Sequence, residues 1–443
     1  MKSLYIVFIA LLINSCATKE EILVKPIVEV KEKIVQQEYI EDLKLIPQDV
    51  SFYTQNIQTT DIGSQVEYEK DYFRVWNTNE SNLSLDDAMW AHKIYKVGNT
   101  YGENLQLLEQ SFFDDMLVNA NYENYLSVNK KALSLNLLNI RAFPTDKVIL
   151  RDPSKAGEGF PFDYLQNSTI AANKPLLIFH YSKDREWVFV ASSFAYGWVK
   201  SSEVVIIDEK YTRLWQQAEQ VFITEDGVPI YSQDNEFLFH SRVGMMLALI
   251  GEDKDTYTVL TVAKYKENRP LYLKSKISKD IAHKGKLVFN AQNIDKIINE
   301  LSKSHYGWGG MYEQRDCSST LRDFYAPFGV WLPRNSHQQS LVGEVIKLDS
   351  LSDKDKVNYI KENAIAFRTL VYKKGHIGLY VGTLKNEVII YQNVWGVKTK
   401  KDDIEGRFII GKPIFSTLEV GSNLSDYDKN ASMLHKLKSI STL

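Results

Sequence analysis

Cys317 lies in the run YGWGGMYEQRDCSSTLRDFY and is one of two cysteines in a chain of 443 residues. Leu321, Phe324, Tyr325 and Phe328 follow it at helical spacing, which predicts an amphipathic helix starting at or near the cysteine. A thiol at a helix start is a candidate nucleophile, because unpaired N–H groups and the positive end of the helix dipole favour its thiolate. His376 opens the run HIGLYVG, whose alternation predicts a strand. A thiol and an imidazole together make a cysteine hydrolase: the sulfur attacks a carbonyl carbon while the ring takes and returns the proton. The next predicted strand carries Gln392, whose amide carbonyl can accept the second ring N–H and hold the tautomer. Along 376–382, His376, Gly378 and Tyr380 share one face. Ile377, Leu379 and Val381 take the other, which reads as the core face. Gly378 then leaves room beside the histidine. Asp316 would oppose a neighbouring thiolate, so it is expected to face something else, such as a substrate amine.

The elements that must position these residues follow from periodicity. The length suggests three or four domains. Residues 17–45 mix charged and β-branched residues and read as a tether. Residues 46–138 read as a mainly helical domain. It has a helix over 86–95 capped by Ser84, and helical pattern over 110–121 and 122–138. Short apolar runs between turn signals then predict two small β-barrels, at 139–210 and 211–283. Trp187 and Trp198 read as barrel core. From 284 to 443 the pattern is α+β, with a helix over 293–304 and antiparallel strands over 364–372, 376–382 and 387–393. The fold class is therefore multidomain α+β.

The N-terminus, MKSLYIVFIALLINSC, has one early lysine and about ten apolar residues, too few to span a bilayer and suited to a signal-peptide core. Its end, Ile13-Asn14-Ser15-Cys16, resembles a bacterial lipobox. Residues 1–16 are thus expected to be a lipoprotein signal with Cys16 as the lipidation site. Ala17 favours the outer membrane, facing the periplasm, in a cell with two membranes. Cys317 then has no disulfide partner, and an exported lone thiol is a liability unless it works.

Composition narrows the function classes. The formal net charge of -3 offers no basic field for nucleic acid. The eight histidines are scattered, no two at zinc-ligand spacing, and no phosphate-binding loop is present, so no metal and no cofactor is expected. The sequence is silent on oligomeric state.

Four runs in order (YGWGG, RDCSS, LPRNSHQQ and GHIGLYVG) resemble the NlpC-type papain-like peptidases of bacterial cell-wall metabolism, over about 290–420. Upstream, FDYLQNS, the strand holding Trp187 and the later GWV resemble the bacterial Src-homology-like barrels that precede the catalytic domain in one branch. That branch also has a helical N-terminal clip domain. The resemblance implies a papain-like fold. It also implies cleavage of the bond between γ-linked D-glutamate and a diamino acid in murein (peptidoglycan) stem peptides, with Cys317 as nucleophile, His376 as base and Gln392 as third residue. Gln392 stands where relatives often carry histidine, and Ser319 where many carry glycine. In the barrel-bearing branch, the residues at Asp316 and Ser318 hold the free α-amine of an N-terminal L-alanine, and a tyrosine at Tyr306 lines the same cleft. Arg334 either contacts a substrate carboxylate or braces its loop. Because Gln392 is uncharged, a second expectation is a weak or inactive hydrolase acting as a murein-binding lipoprotein. A third is another amidase or acyltransferase on the same scaffold.

Overall fold

The computed structural model describes residues 38–77, 83–264 and 269–443. The signal segment, Cys16 and most of the tether lie outside the described residues. Where the tether is described, it docks. Ile40 is buried with Val397 and Leu424. The Asp42 carboxylate accepts hydrogen bonds from the N–H and hydroxyl of Thr417, both at 2.8 Å.

The helices that follow are short and have no core of their own. Ser64 and Ser84 cap Gln65–Tyr72 and Leu85–Ala88 by accepting from the N–H groups of Glu67 and Asp87. The helix expected over 86–95 breaks at Met89 into Leu85–Ala88 and Trp90–Ile94. Tyr68, Tyr72, Phe73 and Trp76 join one buried cluster with Phe179, Trp187 and Trp198 from downstream strands and with Trp215 and Phe222 beyond them. Val50 instead belongs to the cluster that contains Cys317. The segment thus staples the later modules together. The helical pattern does not continue through 122–138. Gln110–Ala120 ends at Asn121 in the left-handed region (φ 53°), and Lys130–Ser134 is a strand paired on both sides, with Pro175–Tyr181 and Val204–Ile206. Ladder pairing and burial outweigh a weak helical propensity there.

The first β module is one antiparallel sheet of seven strands. Its order is Gln166–Ile170, Leu138–Arg141, Tyr196–Lys200, Trp187–Ala191, Pro175–Tyr181, Lys130–Ser134 and Val204–Ile206. The helix Glu209–Gln217 leads to the second module. That module is a five-stranded sheet ordered Pro270–Ser278, Thr256–Lys264, Met246–Glu252, Gln220–Ile223 and Ala282–Lys284, with a separate hairpin of Pro229–Tyr231 and Phe237–His240.

The C-terminal region carries a six-stranded sheet ordered Glu344–Lys347, Leu437–Thr442, Thr369–Lys373, His376–Leu384, Glu387–Lys401 and Ile404–Thr417. The strand expected from Ala364 starts only at Thr369, because a helix runs to Asn363 and Phe367 adopts φ 59°. Ile294, Ile297, Ile298 and Leu301 line one face of the helix Ala291–Ser302. They pack with Leu321, Phe324 and Phe328 against Ile377, Leu379 and Val381. Tyr380 and Ile390 pack on the other face with Ile360. The sheet is therefore buried on both sides, and the place beside Gly378 is taken by Ile390 and Gln392 of the next strand. Among the described residues no helix is long and apolar enough to cross a membrane.

Candidate active site

The helix Cys317–Tyr325 starts where it does because of a capping box. The Asp316 carboxylate accepts from the Ser319 N–H at 2.8 Å, and the Ser319 hydroxyl accepts from the Asp316 N–H at 2.9 Å. Cys317 is thereby fixed as the first helical residue, 7% exposed. Ser319, the departure from glycine, is the second half of the box.

Three further contacts hold this turn. Arg315 is buried and donates to Asp323 at 2.7 Å and to Asp226 of the second β module at 2.9 Å. The Asn393 amide donates to the Arg315 carbonyl at 2.8 Å and to the Thr320 hydroxyl at 3.0 Å. The backbone N–H of Ile377 acts on the Cys317 thiol in favour of its thiolate, so the thiol lies near the start of the histidine strand. Sequence reading missed Arg315 and Asn393. Their neighbours Asp316 and Gln392 were the only signal.

The imidazole of His376 is oriented by a relay across three adjacent strands. Its Nε2 lies 2.6 Å from Gln392 Oε1. Gln392 Nε2 donates to Ser416 Oγ at 2.7 Å, and Ser416 donates onward to the Thr417 carbonyl at 3.0 Å. Ser416 must therefore accept from glutamine, which sets the amide so that its oxygen faces the ring. The hydrogen then sits on Nε2, leaving Nδ1 as a free acceptor.

The charge state of the resting pair is the reverse of the sequence expectation. Burial first, and the Asp316 carboxylate second, push the Cys317 thiol up to about 12. The Ile377 N–H and Arg334 favour the thiolate, but are outweighed. Burial, with the nearby Lys373 ammonium, pushes His376 down to about 4. At neutral pH both groups are uncharged.

Asp316 and Ser318 stand beside the thiol, and Arg334 occupies both. Its guanidinium donates to the two Asp316 oxygens at 3.2 and 2.7 Å and to Ser318 Oγ at 2.9 Å. Its Nε reaches Ser168 of the first β module at 2.6 Å. Burial raises the Asp316 carboxyl, but Arg334 and the Ser319 bonds hold it below its ordinary value. Arg334 thus braces its loop through Asp316. One Asp316 oxygen still has a single protein donor, and a carboxylate oxygen accepts more than one.

Two cavities meet at this point. One, of about 550 Å³, is lined by Asp316, Cys317, Ser318 and Arg334. The other, of about 690 Å³, is lined by His376, Gln392, Trp395 and Lys373. Tyr164, Tyr306, Trp308 and Gly375 line both. Burial, then the proximity of Cys317 and Asp316, raises the Tyr306 phenol far above its ordinary value.

The first β module supplies one wall. Trp308 Nε1 donates to the Asp163 carbonyl at 3.1 Å, and Gln166 Nε2 donates to the Gly309 carbonyl at 3.2 Å. Gly309 and Gly310 have φ of 58° and 89°. A Cβ on Gly309 would stand 2.3 Å from the Gln166 carbonyl oxygen. The YGWGG run is thus the seat on which the module docks, and its glycines permit the approach. Among the described residues no group of three or more His, Cys, Asp or Glu side chains is placed to hold a metal.

A helix-borne thiol near the start of the strand that carries an oriented imidazole, walled by a β module, defines a multidomain α+β protein with a candidate cysteine-hydrolase site. Four family models match the chain in order. They are the NLPC_P60 N-terminal stabilising domain over residues 5–125, an SH3 domain of the SH3b1 type over 149–200, an SH3 domain of the SH3b2 type over 208–254, and the NlpC/P60 family over 303–407. The chain belongs to the NlpC/P60 family, in the form with a stabilising domain and two SH3b domains. It is similar in structure to an NlpC/P60 endopeptidase from Photobacterium damselae subsp. piscicida, with 23% identity and a TM-score of 0.77 over 90% of this chain and 97% of that one. An NlpC/P60 family protein from Bacillus cereus matches at 15% identity and a TM-score of 0.46, over 70% of this chain and 99% of that one. Among curated proteins none matches.

Proposed function

We propose that the chain is a cell-wall cysteine peptidase with a papain-like catalytic domain. It hydrolyses the γ-D-glutamyl–diamino acid bond of murein stem peptides that begin with a free L-alanine. The observation that carries this reading is the relay from Ser416 through Gln392 to His376, which leaves Nδ1 unprotonated on the residue next to Ile377, whose N–H acts on the thiol.

In this mechanism Nδ1 takes the Cys317 proton as the sulfur attacks the amide carbonyl, and the C–N bond breaks as His376 returns the proton to the leaving amine. Water, deprotonated by the same nitrogen, then resolves the thioester. The neutral resting pair suits a proton transfer concerted with attack. The Cys317 N–H, on the first turn, is a candidate oxyanion donor. Asp316 would receive the substrate ammonium on its less engaged oxygen, with Ser318 and Tyr306 beside it. The wall from the first β module supports a preference for short peptides with free amines over cross-linked strands.

The N-terminal segment supports a lipoprotein anchored through Cys16 to the outer membrane, facing the periplasm. Incubation of the purified chain with L-Ala-γ-D-Glu-meso-diaminopimelate, with and without an acetylated N-terminus, tests the enzymatic reading. Release of diaminopimelate only from the free-amine peptide, and none by Cys317→Ala, is expected. Equal release by Cys317→Ala removes the assignment. The high pKa of the thiol and the uncharged Gln392 favour one alternative, a murein binder with weak hydrolysis. Tight binding to intact sacculi with no turnover would select it.

A further inference from the structure

The cavity beside His376 has an unbalanced charge. Lys373, Lys374, Lys398, Arg407, Lys436 and Lys438 line it, against one acidic residue, Asp428. Lys398 is already paired with Glu405 and Asp428, and Lys438 lies 3.7 Å from Asp349. Among the described residues, Lys373 has no carboxylate partner. Its ammonium donates to the Ala431 carbonyl at 2.8 Å and is otherwise turned to the cavity. A half-buried ammonium without a counter-ion is costly, and here Arg407 and Lys436 add to the cost, bringing Lys373 down to about 8 after the larger effect of burial.

The position of Lys373 relative to the reacting groups is set by sheet register. Lys373 pairs directly with His376 across the two-residue turn Lys374-Gly375. Directly opposite residues of an antiparallel pair project to the same face, with Cβ atoms about 5 Å apart. The ammonium therefore stands next to the imidazole, on the side away from the cavity that holds Asp316 and Ser318. If the acyl half of a substrate lies toward Asp316, the amine half lies toward Lys373. The imidazole becomes cationic while it carries the proton, and a bare ammonium beside it opposes that step. An anion brought by the substrate would relieve the opposition.

We propose that this cavity is the leaving-group subsite and that Lys373, with Arg407 further along the wall, is its specificity determinant, selecting an amine half that carries a free carboxylate. The proposal rests on the peptidase reading and adds to it the chemistry of the released half. A diamino acid such as diaminopimelate offers two candidate carboxylates, one next to the cleaved bond and one distal. Lys373 acts through the substrate and takes no proton in the reaction.

The test uses the full chain and three tripeptides: L-Ala-γ-D-Glu-meso-diaminopimelate, its distal carboxamide, and its C-terminal amide. The expected result is that one carboxamide lowers kcat/KM of the unaltered protein about 10- to 100-fold, the scale of one charged hydrogen bond. Lys373→Met is expected to lose the same factor on the fully acidic peptide and almost none on that carboxamide, while Lys373→Arg retains the preference. Whichever carboxamide is affected identifies the carboxylate held. Equal losses on all three peptides, or no loss, would overturn the proposal. Thermal unfolding of Lys373→Met separates misfolding from lost recognition. Should the unaltered chain cleave none of the peptides, the peptidase reading fails by itself. The subsite is then read by titrating meso-diaminopimelate and its diamide into Cys317→Ala protein. A preference for the acid that Lys373→Met abolishes sustains the subsite, and equal binding removes it.

Discussion

Gln392 presents its amide oxygen to His376 Nε2 at 2.6 Å, and its own orientation is set by Ser416 on the following strand. A neutral amide can thus fix the imidazole tautomer as a carboxylate would, but without stabilising the imidazolium. Gln392→Leu is expected to release the ring and to lower kcat about 100-fold or more, the scale of a positioned acid–base group. Gln392→Glu should keep the orientation and raise the imidazole pKa, moving the acid limb of the kcat/KM profile to higher pH. An unchanged limb in Gln392→Glu would show that the 392 side chain does not face the imidazole in solution.

The pH profile follows from the direction of the two shifts. The ring works as a base when neutral, so activity should rise as pH increases through about 4, the value to which burial lowers His376. It should then stay level through neutrality, because Cys317 remains a thiol up to about 12. Alkylation of Cys317 by iodoacetamide at pH 7 should be slower than that of a small free thiol and should accelerate with alkali. Rapid, pH-independent alkylation near neutrality would indicate a preformed thiolate–imidazolium pair instead.

The same imidazole links stability to pH. Its folded value lies below the ordinary 6.5, so between about 4 and 6.5 the unfolded chain binds more protons. The contribution is complete above the unfolded value and is lost as pH falls through the folded one. Urea midpoints measured across this window should rise with pH, and the rise should shrink in His376→Gln.

Arg315 is buried between Asp226 and Asp323 and joins the second β module to the cysteine helix. Arg315→Met removes the ion-pair partner of Asp226 and one of the three arginines around Asp323, which keeps Arg322 and Arg242. Breaking such a buried pair costs about 3–5 kcal/mol. A urea titration should show that loss, together with a fall in kcat as the first turn of the helix loosens.

Gly309→Ala tests whether the first β module shapes the cleft. The new methyl would meet the Gln166 carbonyl, in a backbone conformation that disfavours side chains. A destabilisation of about 1–3 kcal/mol is expected. KM for the free-amine tripeptide should rise more than kcat falls. Unchanged kinetics would mean that the module does not contribute to binding.

Much of the site was legible because it is local. The apolar spacing after Cys317 announced its helix, the alternation after His376 announced its strand, and Gln392 was placed on the next one. The helix read over 293–304 and the core face of the strand His376–Leu384 also emerged from periodicity. The stretch 122–138 misled, since its strand is held by partners that begin at Pro175 and Val204. The tether was drawn too long for a similar reason, because Asp42 finds its partner at Thr417.

By itself, the order of residues determined which segments coil or extend, and that one thiol, one imidazole and one amide would sit at the starts or faces of those segments. Only the tertiary structure decided the charges of the pair, because desolvation depends on what covers a group, whatever its sequence neighbours are. Only it engaged Asp316 with Arg334, brought the first β module onto Gly309, and placed Lys373 beside the imidazole. Each of those contacts, the Lys373–His376 hairpin pair aside, joins residues too distant along the chain for any local pattern to encode.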